Sequence, residues 1–151
     1  MTFPLDSLTR SDVATRKGLD NTPDTTQTEN LRALWLNVLE PLAACVGKPL
    51  RINSGFRSPE VNKEIGGAKN SQHMRGYAAD IEVDGFDNKQ LAALVLELKL
   101  PFDQLILEHH TPGIANSGWV HVSHVRDGVQ RGSVLHSTFV KGKAAFGQGL
   151  V

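Results

Sequence analysis

Apolar residues return every three or four positions along one stretch, at Leu31, Leu34, Trp35, Val38, Leu39 and Leu42. That period places them on one side of a helix, and such a side must enter a core. Just upstream, Thr26-Gln27-Thr28-Glu29 reads as a capping box that starts the helix. Pro41 should kink or divide it, because proline returns no hydrogen bond to the preceding turn. A second helix is expected from Ser58-Pro59-Glu60, where serine can cap and proline suits the first turn, to Gly66-Gly67. A third opens at Asp87-Asn88-Lys89-Gln90 and carries Leu91, Leu94, Val95 and Leu98 on one side.

Between these helices the pattern shortens to alternation. Leu50-Arg51-Ile52-Asn53, Ala78 to Val83, Gln104 to Glu108 and Trp119 to Ser123 are expected strands, with a weaker one near Ser133 to Val140 and a loose Gly/Lys-rich tail after it. Residues 1–27 are polar and rich in Thr and Asp, and are expected to form an amino-terminal arm; residues 28–151 would form the domain proper. Strands interrupted by helices of unequal length, in a chain of 151 residues, predict an α+β fold. The expectation is a single domain with a small, mostly antiparallel sheet flanked by helices. Alternation also sorts the side chains by face. Val120 and Val122 take the core side, leaving His121 with Trp119 and Ser123 opposite; Leu105 and Leu107 leave Glu108 opposite; Ile81 separates from Asp80. Three strands would thus present Asp80, Glu108 and His121 on one concave face, with His73 reaching in from the preceding loop.

Composition narrows the chemistry. Sixteen basic and sixteen acidic residues balance, with no basic run, so an electrostatic grip on nucleic acid is not expected. No apolar run approaches membrane-spanning length, and the amino terminus lacks a basic region followed by an apolar one. The expectation is therefore synthesis in the cytoplasm without a signal peptide, as a monomer that does not engage membranes. A lone Cys45 in Leu42-Ala43-Ala44-Cys45-Val46 excludes an internal disulfide and is expected to be a buried, inert thiol. Against that bland background, His73, Asp80 and His121 stand out. Two imidazoles and one carboxylate can hold zinc and leave a fourth position for water, the donor count of catalytic rather than structural zinc.

Three segments carry a resemblance. Ser71-x-His73-x-x-Gly76-x-Ala78-x-Asp80, then Trp119-x-His121, and upstream Ser54-Gly55-Phe56-Arg57-Ser58-Pro59, together resemble the family of zinc D-alanyl-D-alanine carboxypeptidases and L-alanyl-D-glutamate peptidases. The resemblance spans about Leu50 to Ser123. It implies Zn2+ on His73, Asp80 and His121, a peptidoglycan stem peptide as substrate, and Arg57 as the group that steadies a substrate oxygen or carboxylate. The plainer role for Arg57 is a surface pair with Glu60 or Glu64. Many members carry a catalytic acid or histidine just before the last ligand, yet Ser117, Gly118, Trp119 and Val120 cannot act as a base. Glu108 is the nearest upstream carboxylate and is expected to be the general base, with Asp103 and His109 as substitutes and a solvated strand end as the plainer reading. Ser71 and Gln72 could bind substrate backbone or cap the loop. Trp119 either walls the site or packs beneath it, core packing being the default. Gly76 and Ala78 are expected to keep substrate space clear. His109 and His110 are expected to be an exposed loop pair rather than a second metal site. The activity that follows is zinc-dependent endopeptidase cleavage between L-Ala and D-Glu, as in a bacteriophage endolysin that reaches the wall after release. The alternatives are a D-Ala-D-Ala carboxypeptidase and a non-catalytic zinc-containing binding module of the Hedgehog amino-terminal type.

Overall fold

A computed structural model of the chain describes residues 2–150. Two short helices come first, α1 (Leu5–Thr9) and α2 (Asp12–Lys17), in the stretch expected to be an arm. Leu8 is fully buried against the main core, and Asn21 ties the segment to the loop around Arg57. Its side chain donates to the Phe56 carbonyl and accepts from the Ser58 amide.

Helix α3 (Thr25–Leu34) begins earlier than the sequence reading placed it. Its capping box is Asp24 with Gln27, not Thr26 with Glu29. The Asp24 carboxylate accepts from the Gln27 amide at 2.7 Å, and the Gln27 side chain returns an acceptor to the Asp24 amide at 2.8 Å. The chain stays helical through Pro41. A π-helical turn at Trp35–Leu39 leads into α4 (Glu40–Val46), and the Glu40 amide reaches back five residues to the Trp35 carbonyl. A wide turn of this kind absorbs the bond that Pro41 cannot give. It also sets the phase of α4, which points Leu42 and Ala43 inward and leaves Cys45 exposed, correcting the expectation of a buried thiol.

Strand β1 (Arg51–Ser54), helix α5 (Pro59–Glu64), a 3-10 turn at Gln72–Arg75, strand β2 (Ala78–Glu82), helix α6 (Asn88–Glu97) and strands β3 (Gln104–Glu108), β4 (Trp119–Ser123) and β5 (Ser133–Val140) follow. Ser58 caps α5 by accepting from Val61, and Asp87 caps α6 by accepting from Lys89 and Gln90. The tail is not loose. It forms β6 (Lys143–Gln148), joined to β5 by a two-residue turn at Lys141-Gly142. Both turn residues have positive φ, 51° and 77°, the conformation that matches strand twist in tight hairpins.

Among the described residues these strands form one six-stranded sheet in the order β1-β2-β4-β3-β5-β6. Neighbours are antiparallel except β3 and β5, which run parallel, so the sheet is mixed. One face carries Ile52, Ala79, Ile81, Leu105, Leu107, Val120 and Val122 into a core shared with Leu31, Leu34, Val38, Leu39, Leu91 and Val95. The helices therefore cover that face, and the opposite face is left for the polar residues. No helix among the described residues is long and apolar enough to cross a membrane.

The parallel step is organised by Asp103. Its amide donates to the Ser123 carbonyl and its carbonyl accepts from the Ser133 amide, so it joins the end of β4 to the start of β5. Its carboxylate accepts from the Arg131 amide, from Nε and Nη2 of the Arg131 guanidinium and from Gln72. Burial works to raise this carboxyl, but the Arg131 bonds outweigh it and hold it below the ordinary value. A depressed acid stabilises the fold above its unfolded value near pH ~3.9 and loses that contribution as pH falls through the folded value. Asp103→Asn should therefore cost about 1–3 kcal/mol at pH 7. Denaturant unfolding followed from pH 7 to pH 3 should show the gap between variant and parent closing at the acid end.

Candidate metal centre

Strand register brings the polar residues together. Asp80 lies directly opposite His121 across β2 and β4, and Ile106 lies opposite His121 across β3 and β4. Partners in register share a face, and alternate residues do too. Asp80, His121, Trp119, Glu108 and Ser137 are thus all on the face away from the helices. His73 reaches it from the 3-10 turn, whose end is fixed by Gly76.

Three donor atoms converge there. His73 Nε2 stands 3.3 Å from Asp80 Oδ1, and His121 Nδ1 stands 3.1 Å from the same oxygen. Two ligands of a tetrahedral zinc, at bonds of about 2.0–2.1 Å, are roughly 3.3–3.4 Å apart. The observed separations therefore fit a shared metal ion with little adjustment. Among the described residues this trio is the group of His, Cys and acidic side chains close enough to hold one, its donor atoms lying within 4.8 Å of one another. All three residues are buried, at 4% exposure for His73 and 8% for Asp80 and His121.

Protonation states favour ligation. His73 Nδ1 lies 2.7 Å from the Gly55 carbonyl, which can only accept, so Nδ1 carries a proton and Nε2 is the nitrogen that faces Asp80. Burial pushes the His73 imidazole below its ordinary value, against the pull of Asp80. Burial would raise the Asp80 carboxyl, yet the two imidazoles hold it well below the ordinary carboxylate range. A divalent cation binds the ionised form of a carboxylate and displaces any proton from the imidazole nitrogens that face it.

Arg57 is committed to this centre and does not pair with Glu60 or Glu64. Its Nη2 lies 3.5 Å from Asp80 Oδ2, the oxygen turned away from the histidines. Its Nε donates to Ser54 Oγ at 3.0 Å and its Nη1 to Asn62 Oδ1 at 3.3 Å, while Glu64 pairs with Lys17. Burial lowers the guanidinium, opposed by the charges of Asp80 and Glu108, which places Glu108 within electrostatic reach of Arg57. Glu108 is half-buried and accepts from Ser137 Oγ at 2.8 Å. Ser54, Asn62 and the Gly55 carbonyl had no assigned role in the sequence reading. Ser54 and Gly55 lie within the Ser-Gly-Phe-Arg segment already marked there; Asn62 carried no signal.

The remaining candidates divide. Ser71 accepts from the His73 amide at 3.2 Å, capping the 3-10 turn. Gln72 donates to Asp103 and keeps a buried side-chain oxygen without a partner. Asp103 itself is occupied by Arg131 and Gln72, so its lone pairs are not free for a base role. Trp119 is absent from the core; it stands on the metal face with its ring edge-on to His109, centroids 5.3 Å apart. His109 and His110 are half-buried rather than exposed. The His109 ring stacks on Phe139 at 3.9 Å, whereas His110 bonds to Ser117, so the pair does not converge. Gly76 serves packing rather than substrate space: its φ is 77°, and a Cβ there would come within 2.5 Å of the Gln27 carbonyl.

Zinc titrated into metal-free protein should bind one equivalent per chain. A His73→Ala/His121→Ala double variant should lose stoichiometric binding, since one carboxylate cannot hold the ion alone. Elemental analysis after dialysis reads both outcomes, and full zinc occupancy in the double variant would refute the ligand set.

The geometry can be set beside known proteins. A family model described as Peptidase M15 matches residues 1–123, which takes in the ligand trio, Arg57 and Glu108. The zinc D-Ala-D-Ala carboxypeptidase of Streptomyces albus G is 56% identical over 34 residues, 22% of this chain. That match spans only 13% of the relative's length. The chain belongs to the peptidase M15 family.

Proposed function

We propose that the protein is a zinc-dependent peptidase that hydrolyses peptide bonds in peptidoglycan stem peptides. The observation that carries this reading is the shared face. Three donors converge with the spacing of a tetrahedral metal, and a carboxylate, Glu108, and a guanidinium, Arg57, stand on the same side of the sheet. A three-residue donor set leaves a coordination position for water or substrate, unlike the closed four-residue sets of structural zinc. Zinc bound there supplies a Lewis acid that makes water a nucleophile near neutral pH and polarises a carbonyl.

The chain's own groups supply the rest. Glu108 takes the proton of the attacking water and delivers it to the leaving amine. Arg57 donates a hydrogen bond to the carbonyl oxygen as negative charge develops on it. Trp119 walls the cleft beside Glu108, and Ser71 and Gln72 border the substrate next to His73. The wall substrate is supported by family membership and by the likeness to the Streptomyces zinc D-Ala-D-Ala carboxypeptidase.

For the bond, we favour endopeptidase cleavage between L-Ala and D-Glu. The Arg57 guanidinium already engages Asp80, Ser54 and Asn62 through its three nitrogens, so the N–H groups left over suit a single carbonyl oxygen better than the bidentate grip a terminal carboxylate takes. The second reading, release of terminal D-Ala, is favoured by the name of that relative. A non-catalytic binding module is disfavoured by Glu108, since a carboxylate beside the metal face serves water activation and not metal retention.

Digestion of purified peptidoglycan, with mass analysis of the fragments, tests the reading. New amino termini at D-Glu support the endopeptidase, free D-Ala supports the carboxypeptidase, and no new termini with zinc-loaded protein exclude both. Glu108→Gln should keep zinc and fold while losing about two to four orders of magnitude in rate. Near-parental turnover in that variant would remove Glu108 from the chemistry. Arg57→Lys should keep zinc but lose at least roughly tenfold in kcat, because an ammonium cannot span Asp80, Ser54 and Asn62 as a planar fork does. Unchanged kcat in Arg57→Lys would assign the arginine to structure alone.

A further inference from the structure

We propose that Ser137, on the hairpin after the family-matched region, is the positioning residue for the Glu108 carboxylate. The proposal rests on the reading of Glu108 as general base. The family match ends at residue 123, and the hairpin of β5 and β6 begins at Ser133, so this contact is supplied by a part of the chain outside that match.

Ser137 is held in place by everything around it. It is fully buried, although the residues that follow it on β5, Thr138 to Val140, are exposed. Parallel register sets it directly beside Glu108. Its Oγ donates to Glu108 Oε2 at 2.8 Å, and the same oxygen is approached by the His109 amide at 3.3 Å. That amide also donates to the Ser137 carbonyl at 2.9 Å. A hydroxyl has one proton to give. With a backbone N–H pointing at its oxygen, that proton is directed to the carboxylate.

The hairpin secures the neighbouring residue as well. Phe139, two positions on and therefore on the same face of β5, stacks on the His109 ring with an interplanar angle of 2°. His109 follows Glu108 directly and has a φ of 51°, a left-handed conformation that a non-glycine residue adopts only when its surroundings hold it. Trp119 also meets that ring, edge-on. Gly118, just before the start of β4, has no room for a Cβ, which would fall on the Glu108 carbonyl. Glu108 is thus fixed in its backbone by β4 and by the His109 clamp, and in its side chain by Ser137. One oxygen is tied to the hydroxyl, leaving the other to accept a proton from water. A general base held at one oxygen spends less orientation entropy in each turnover than a free strand-end carboxylate.

The test is a double-mutant cycle on the full zinc-loaded chain, with purified peptidoglycan as substrate. Ser137→Ala should lower kcat roughly ten- to hundredfold, the range for losing a hydrogen bond to a charged group, with KM and zinc content unchanged. Ser137→Thr, which keeps the hydroxyl and suits a strand, should restore most of the rate. In a Glu108→Gln background, Ser137→Ala should cause no further loss, because the base it positions is already gone. Parental kcat in Ser137→Ala beside a crippled Glu108→Gln would overturn the proposal while leaving the base intact, as would equal losses in both backgrounds. A Glu108→Gln variant at the parental rate would instead overturn the base, and the role of Ser137 with it. Should Ser137→Ala fail to fold, Ser137→Cys keeps the shape and donates only weakly. That variant is expected to lose kcat with KM unchanged, and a parental kcat in it overturns the proposal.

Discussion

A buried carboxylate with three cationic or polar neighbours is the constraint on which the centre depends. Asp80 is 8% exposed, and an ionised group at that depth costs several kcal/mol unless it is paired. One of its oxygens faces two imidazoles and the other faces the Arg57 guanidinium. Each of these needs its own support. His73 depends on the Gly55 carbonyl, Arg57 on Ser54 and Asn62, and His121 on the register between β2 and β4. A slip of that register by one residue would send His121 into the helix-covered core and bring Val120 or Val122 to the metal face. Burying seven apolar side chains on one face therefore also specifies the donor set on the other.

The same logic explains what could be read from the chain. Alternation around Ile81, Leu105, Leu107, Val120 and Val122 was enough to assign faces, because a one-sided core leaves a period of two in the sequence. His73, Asp80 and His121 stand out as a candidate donor set from donor type and motif spacing, and the fold brings the three together. The sequence reading starts α3 from Thr26-x-x-Glu29, whereas the chain caps it two residues earlier with Asp24 and Gln27. The choice is made by tertiary contacts: Gln27 and Asn30 donate to the carbonyls of Met74 and Arg75, anchoring the earlier turn beside the metal loop. The buried Cys45 is expected from its apolar neighbours alone, and an apolar stretch does not say which side of a helix each residue takes: Leu42 and Ala43 turn inward while Ala44 and Cys45 are exposed.

Other features were illegible for a different reason. Strand β6 is largely exposed and lacks a hydrophobic stripe, and its turn at Lys141-Gly142 carries one residue that is not a usual left-handed former. Ser137 acquires its partner only through parallel pairing with a strand 29 residues away, and Asp103 acquires its role only through the crossover that makes that pairing. Long-range partners of this kind leave no local signature. The carboxylate beside the metal face was visible in the sequence, whereas the groups that hold it still were not.

The central claim is that one metal ion sits on three side chains with a position left open. A crystal structure of the zinc-loaded chain, with anomalous data collected at the zinc absorption edge, addresses it most directly. A single anomalous peak is expected, bonded to His73 Nε2, Asp80 Oδ1 and His121 Nδ1, with a fourth, non-protein neighbour and Arg57 still on Asp80 Oδ2. A peak at His109 or His110, or a fourth protein side chain closing the coordination sphere, would contradict it.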